Sequence, residues 1–371
     1  MRERATQTRK PRVAHVTTVD LSLRYLLLNQ LQRIQSEGYE VFGISADGPD
    51  VPVLEAAGIR HFAVPMTRRI TPIADLRCLW ALVRIMRRER FDVVHTHTPK
   101  AGLLGQLAAR IAGVPIVANT LHGFYFHDDT KPWLRRFYIW MERVAAKCSD
   151  TILSQNRELG NGIDVARFDR RRLTDSSLED LRREIGLDAD APVIGFVGRL
   201  VEEKGILDLL QAATAVIEAI PNAQLLIIGP YDEEKPDALR PDVAERYGVA
   251  ANCRFAGMRN DMPELYALMD VLVLPSYREG FPRAPMEASA MGVPSVVTDI
   301  RGCREAVDHG ENGLLFPVGD ADALARSLIE LLRDDERRAR MGETGRRIAE
   351  DRFDEQKVFD RVLSEYERLL P

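Results

Sequence analysis

Arg199 and Lys204 stand five residues apart in Arg199-Leu-Val-Glu-Glu-Lys204-Gly, across a strand-to-helix turn. A planar guanidinium fork and a mobile ammonium placed that way can converge on one diphosphate. A second pair, Glu279 and Glu287, lies in the stretch SYREGFPRAPMEASAMGVP, residues 276–294. Seven residues separate these carboxylates, so one falls on the loop at a strand's carboxyl end and the other in the following helix. Ligands of open α/β sheets bind at that edge. The helix start after Pro282 adds unpaired N–H groups and a positive dipole end, which suit a phosphate. Each pair has a plainer alternative: a solvated loop acid and helix acid, and a solvated basic pair beside Glu202 and Glu203.

These residues need a scaffold, and the chain supplies one by alternation. Short apolar, β-branched runs read as buried parallel strands. They fall at 12–18, 41–45, 91–97, 114–120, 150–154, 192–198, 224–229, 253–257, 271–275, 294–299 and 312–316. Helical patterns separate most of them. The first carries Leu26, Leu27, Leu28, Leu31 and Ile34 as its apolar face; later ones cover 73–90, 101–112, 206–219, 238–247, 321–333 and 335–350. Strand–helix alternation predicts an α/β fold with doubly wound parallel sheets. At 371 residues the chain is too long for one ordinary core and suits two such domains.

Composition narrows the function. The turn Thr17–Ser22 after the first strand has no glycine, and no G-x-G-x-x-G occurs there, which counts against a nicotinamide or flavin enzyme. Four scattered cysteines with no C-x-x-C pair fit a reducing cytoplasm and give no metal signature. No apolar run approaches the ~20 residues that cross a bilayer, and the basic opening is not a signal peptide. Residues 1–150 hold 22 Lys/Arg against 14 Asp/Glu, whereas 151–371 hold 29 against 42. The basic half could therefore meet an anionic surface. Its clearest patch is Lys131–Arg143, which mixes Trp133, Phe137, Tyr138 and Trp140 with Arg135 and Arg136, aided by Arg84, Arg87, Arg88 and Arg90. A helix covering the sheet with its aromatics is the alternative.

The 276–294 stretch, Gly198-Arg199 with Lys204-Gly205, Asn161-Gly-Ile-Asp164 and Arg301-Gly-Cys-Arg-Glu305 closely resemble the family-4 retaining glycosyltransferases of the GT-B fold. The resemblance covers nearly the whole chain. It is strongest to enzymes building bacterial surface polysaccharides or lipid-linked oligosaccharides. It implies two Rossmann-like domains facing a cleft, at 1–160 (acceptor) and 161–350 (nucleotide sugar), with 351–371 bracing the first. Glu287 would accept from a ribose diol, and Glu279 would hold hexose hydroxyls. Arg199 and Lys204, with helix amides near Arg283–Met286, would stabilise the leaving diphosphate in place of a metal. Gly280, Phe281, Pro282 and Arg283 would line the donor loop, with Met258 and Arg259 beside the base. His122 would lie near the transferred sugar, and Ser22, Arg24 and Lys100 on the acceptor side.

The implied donor is a UDP-sugar, or secondarily a GDP-sugar, and the implied acceptor a polyprenyl-diphosphate-linked sugar or other glycan. No cofactor, metal or nucleic acid is expected, and the location is the cytoplasm, peripheral on the inner face of the cell membrane. The rivals are a sugar-nucleotide epimerase of similar shape and an inactive, transferase-like binding subunit. Two departures stand out: the glycine-free 17–22 loop, and the six-residue link QNRELG, where relatives place a helix and a strand.

Overall fold

The structure, a computed structural model, describes residues 9–67, 71–121, 131–154, 162–231 and 237–370. Two compact units emerge, residues 1–155 with 357–371, and residues 156–356. The six-residue link lies outside the described residues, as does His122.

The first unit is a six-stranded parallel sheet of β1 (Arg12–Val19), β2 (Glu40–Ala46), β3 (Arg60–Ala63), β4 (Val93–Thr96), β5 (Ile116–Leu121) and β6 (Thr151–Ser154), ordered β3-β2-β1-β4-β5-β6. The second repeats the plan with β7 (Val193–Val197), β8 (Gln224–Ile228), β9 (Cys253–Gly257), β10 (Val271–Leu274), β11 (Ser295–Thr298) and β12 (Gly313–Phe316), ordered β12-β11-β10-β7-β8-β9. Central strands such as β10, VLVL, are buried at every residue, because helices cover both faces of the sheet. Strand order reverses between β1 and β4 in one sheet and between β7 and β10 in the other. At such a point the flanking connections leave in opposite directions and open a crevice at the carboxyl edge.

Three local features differ from the sequence expectation. Strand β3 was not anticipated; it is an edge strand whose one buried residue is Phe62, so it carries no apolar run. The first helix starts at Asp20 and contains a π-turn, Leu23–Leu27. The wider turn shifts the helical register, so Leu23, Leu27, Leu31 and Ile34 are buried while Leu26 is exposed and Leu28 only half-buried. The segment expected as a helix near 238–247 is the 3-10 turn Pro241–Tyr247.

The final helix, Glu355–Leu369, buries Phe359, Val362, Leu363 and Tyr366 at i, i+3, i+4 and i+7. Tyr366 is fully buried, lies against Tyr39, and its hydroxyl meets His95 Nδ1 of β4 at 2.6 Å. Glu365 accepts from Thr151 Oγ1 of β6 at 3.0 Å. Residues 357–371 thus count with the first unit although they follow the second in sequence.

Candidate functional site

Strand β7 ends at Val197, and the N–H of the next residue, Gly198, reaches Ile228 O at 2.9 Å. Arg199 follows, half-buried at the carboxyl edge, and a single 3-10 turn, Glu202–Lys204, leads through Gly205 into the helix Ile206–Ala219. Strand β10, the neighbour of β7, ends at Leu274 and is followed by Pro275 and Ser276. The two loops are stitched together. Tyr277 N donates to Glu203 O at 3.0 Å, and Arg278 pairs with Glu203 at 2.6 Å. Gly205 makes the approach feasible: it sits at φ +71°, and a Cβ there would come 2.0 Å from Pro275 O.

Chain reversal at this switch point brings Lys204 and Glu279 into contact, Nζ to Oε1 at 2.5 Å. Buried Ser276 donates from Oγ to the same carboxylate oxygen at 2.7 Å, and Thr298 Oγ1 of β11 donates to Ser276 O at 2.6 Å. The backbone of Glu279 rests on Gly302, where a Cβ would come within 2.4 Å of Glu279 O. Glu279 is therefore held by Lys204, Ser276 and the start of the helix Arg301–Ala306. Cys303 in that helix is inert, its thiol pushed up to about 12 by burial first and the Glu279 charge second.

The helix Arg283–Ala290 begins at Pro282, an extended N-cap with no side-chain hydrogen bond. Its leading N–H groups from Arg283 and Ala284 are the orphan donors of a helix start, Pro285 having none to give. Glu287 accepts from Tyr266 Oη at 2.9 Å and from Arg283 Nε at 3.3 Å, one turn back. Tyr266 is fully buried; desolvation, then the Glu287 carboxylate, hold its phenol well above the usual range, so it stays a donor. No sequence signal marked Tyr266, because a tyrosine in a short apolar helix reads as core.

Other expected site residues have different surroundings. Phe281 is buried, edge-on to Phe353 at 5.9 Å, so its ring packs into the core. The Arg259 guanidinium is taken by Asp261 at 2.6 Å and Glu184 at 2.9 Å, leaving the main chain beside exposed Met258 as the part able to read a base. Gly280 is exposed on the loop between Glu279 and Phe281. On the acceptor side, Ser22 is buried in the first helical turn and Arg24 pairs with Asp50 at 2.5 Å. Lys100 is 7% exposed and paired with Asp75 at 2.5 Å. Burial pushes the Asp75 carboxyl up, but hydrogen bonds from Lys100 and Thr71 outweigh it and leave it below the usual range.

His15, His95 and His97 form a buried column beneath the first unit's switch point, with ligand atoms within 4.8 Å of one another. Their rings lie 4.3–5.1 Å apart and within 34° of parallel. Lone pairs lie in the ring planes, so stacked imidazoles do not converge on one ion at ~2 Å. Both His95 nitrogens are engaged, by Tyr366 and Thr120, and burial pulls His15 down to about 3. The column is hydrogen-bonded packing. Two Asp-x-Asp pairs are structural as well: Asp188 bonds Gln224, and Asp320 caps the helix Ala321–Leu332.

Comparison with known proteins agrees with this layout. Residues 177–348 match the family described as glycosyl transferases group 1, and residues 24–174 match the glycosyl transferase 4-like domain. An Escherichia coli relative, UDP-Gal:alpha-D-GlcNAc-diphosphoundecaprenol alpha-1,3-galactosyltransferase, is 31% identical over 88% of this chain and 89% of its own length. The capsular polysaccharide biosynthesis glycosyltransferase CapM of Staphylococcus aureus is 28% identical over 97% of both chains. The crystal structure of Anabaena HepE in complex with UDP and glucose superposes with a TM-score of 0.79 at 20% identity, over 96% of this chain and all of that one. It shares the two-sheet GT-B architecture.

Proposed function

The chain belongs to the group 1 glycosyltransferase family, and from that premise we propose that it moves a hexose or N-acetylhexosamine from a UDP-sugar to a hydroxyl of a polyprenyl-diphosphate-linked sugar, retaining the anomeric configuration. The Lys204–Glu279 contact beside an uncapped helix start carries this reading. An ammonium has three donors, so Lys204 can keep one on Glu279 and turn another to the β-phosphate. Arg199 and the helix amides add donors where charge develops as the glycosyl–phosphate bond breaks. No metal is invoked. The acceptor hydroxyl attacks the anomeric carbon on the face the diphosphate leaves, and its proton goes to the departing phosphate oxygen. Glu279 holds hexose hydroxyls, Glu287 the ribose diol. His122 stands near the transferred sugar in this reading.

The acceptor proposal follows the Escherichia coli relative, whose name specifies a diphosphoundecaprenol acceptor and a UDP-sugar donor. UDP should raise the melting temperature, as a ligand bound only by the folded state must, and UDP should be released from a UDP-sugar only when acceptor is added. Stabilisation by GDP alone would reverse the donor choice, and UDP release without any acceptor would favour an epimerase.

A lipid-borne acceptor calls for a protein that works at the bilayer surface. No helix of the described residues is long and apolar enough to cross one. Two helices of the first unit nevertheless turn large apolar side chains outward: Ile73, Leu76 and Trp80 on Pro72–Glu89, and Trp133, Phe137 and Trp140 on Pro132–Ala146. The helix Pro99–Ala112 packs against both. Exposed Arg77 and Arg84 share the first face, Arg136 and Arg143 the second. Apolar side chains flanked by arginine suit an anionic surface, each cation adding about 1 kcal/mol near it. This supports a peripheral enzyme on the cytoplasmic face of the membrane. Vesicles containing phosphatidylglycerol should sediment the protein, and Trp133→Ser with Trp140→Ser should release most of it. Equal recovery with neutral and anionic vesicles would refute the charge component.

A further inference from the structure

The helix Arg283–Ala290 carries Glu287 in its last turn, and its far end is held from outside. Ala290 O would bond the N–H of the residue four positions on, but that residue is Pro294, which has none. The chain instead turns away at Gly292, φ +75°, with Met291 N on Glu287 O and Gly292 N on Ser289 O, each at 3.0 Å. Arg346, from the helix Asp335–Ile348, takes the orphan carbonyl. Its Nη1 donates to Ala290 O at 2.8 Å and to Phe168 O at 2.6 Å. Glu350 at 2.8 Å and Asp169 at 3.6 Å hold the rest of the guanidinium. The two helices meet closely, since a Cβ at Gly342 would collide with Gly292 O.

Phe168 is the second link. Its ring lies edge-on to Tyr266 at 5.9 Å, and Tyr266 Oη donates to Glu287 Oε2 at 2.9 Å. One nitrogen of Arg346 therefore grips both supports of a single carboxylate: the helix that carries it, and the main chain behind the tyrosine that orients it. We infer that Arg346 is a positioning residue for Glu287, acting on the donor's ribose only through where that carboxylate stands. The inference rests on the ribose role given to Glu287 above. A cation at a helix C-terminus stabilises a fold in any case. A plain cap, however, would not alter discrimination between ligands that differ only in their ribose hydroxyls, whereas a displaced Glu287 would.

The test is calorimetric titration of the full chain with UDP and with the UDP analogue lacking both ribose hydroxyls. Wild type is expected to prefer UDP at least ~10-fold, the yield of one hydrogen bond to a charged group, and Glu287→Ala to erase that preference. Arg346→Met should cut it to about a third or less, because hydrogen bonds weaken steeply away from their best geometry. Arg346→Lys keeps the cation at the helix end but has no planar fork to span two carbonyls, so it should lose about half of the preference or more. In the Glu287→Ala background, adding Arg346→Met should change UDP affinity less than about two-fold, since residues acting through one contact are not additive. The inference is overturned if Arg346→Met, or Arg346→Lys where the methionine variant does not fold, keeps the wild-type preference. Equal weakening of UDP binding by Arg346→Met with and without Glu287 would also overturn it. If wild type shows no preference, or Glu287→Ala retains it, the ribose role itself fails and the positioning role falls with it.

Discussion

Lys204→Ala is expected to lower kcat at least ~100-fold with the fold intact, and Arg199→Ala to do the same. Removing one preorganised donor aimed at developing charge costs about that factor, equal to roughly 2.7 kcal/mol of barrier. Because Lys204 also neutralises Glu279 at 2.5 Å, its loss leaves a carboxylate that is mostly shielded from water unpaired. Two causes of inactivity must therefore be separated. The double variant Lys204→Ala, Glu279→Gln removes the stranded charge. If the lysine serves the leaving diphosphate, turnover of the double variant falls well below that of Glu279→Gln alone while its melting temperature recovers. Near-full turnover in either single variant, measured as UDP release at saturating donor and acceptor, would refute the assignment.

The second large effect falls on donor affinity. Glu287→Ala should raise the KM for the UDP-sugar ~10- to 100-fold and leave the acceptor KM within about two-fold, since hydrogen bonds to a charged acceptor are worth about 1.5–3 kcal/mol each. Tyr266 makes a control necessary. Its hydroxyl is buried on Glu287 Oε2 at 2.9 Å, so the alanine variant also strands a phenol. Adding Tyr266→Phe should restore stability and leave the donor KM high. A donor KM within two-fold of wild type in Glu287→Ala would remove the ribose role from this carboxylate.

Local information was enough for much of this molecule. Parallel strands buried on both faces read as apolar runs, so most strands were legible, while the half-exposed edge strand β3 was missed. Arg199 with Lys204, and Glu279 with Glu287, were legible because each pair sits on one connection between a strand and a helix, where chain spacing and spatial spacing are tied. The same tie breaks across longer separations. Lys204 meets Glu279 from 75 positions away, and His95 meets Tyr366 from 271, because strand order lays distant loops side by side. No periodicity encodes that order.

Packing also gave partners to residues whose types alone suggested a ligand. Lys100 has a partner in Asp75, and Phe281 has one in Phe353. Tyr266 looked ordinary until packing fastened its hydroxyl to a site acid, Glu287. Composition and spacing set which chemistry this chain can hold. Which side chain is free to perform it depends on long-range packing, because desolvation and partnering are properties of neighbours that meet only after the chain has folded.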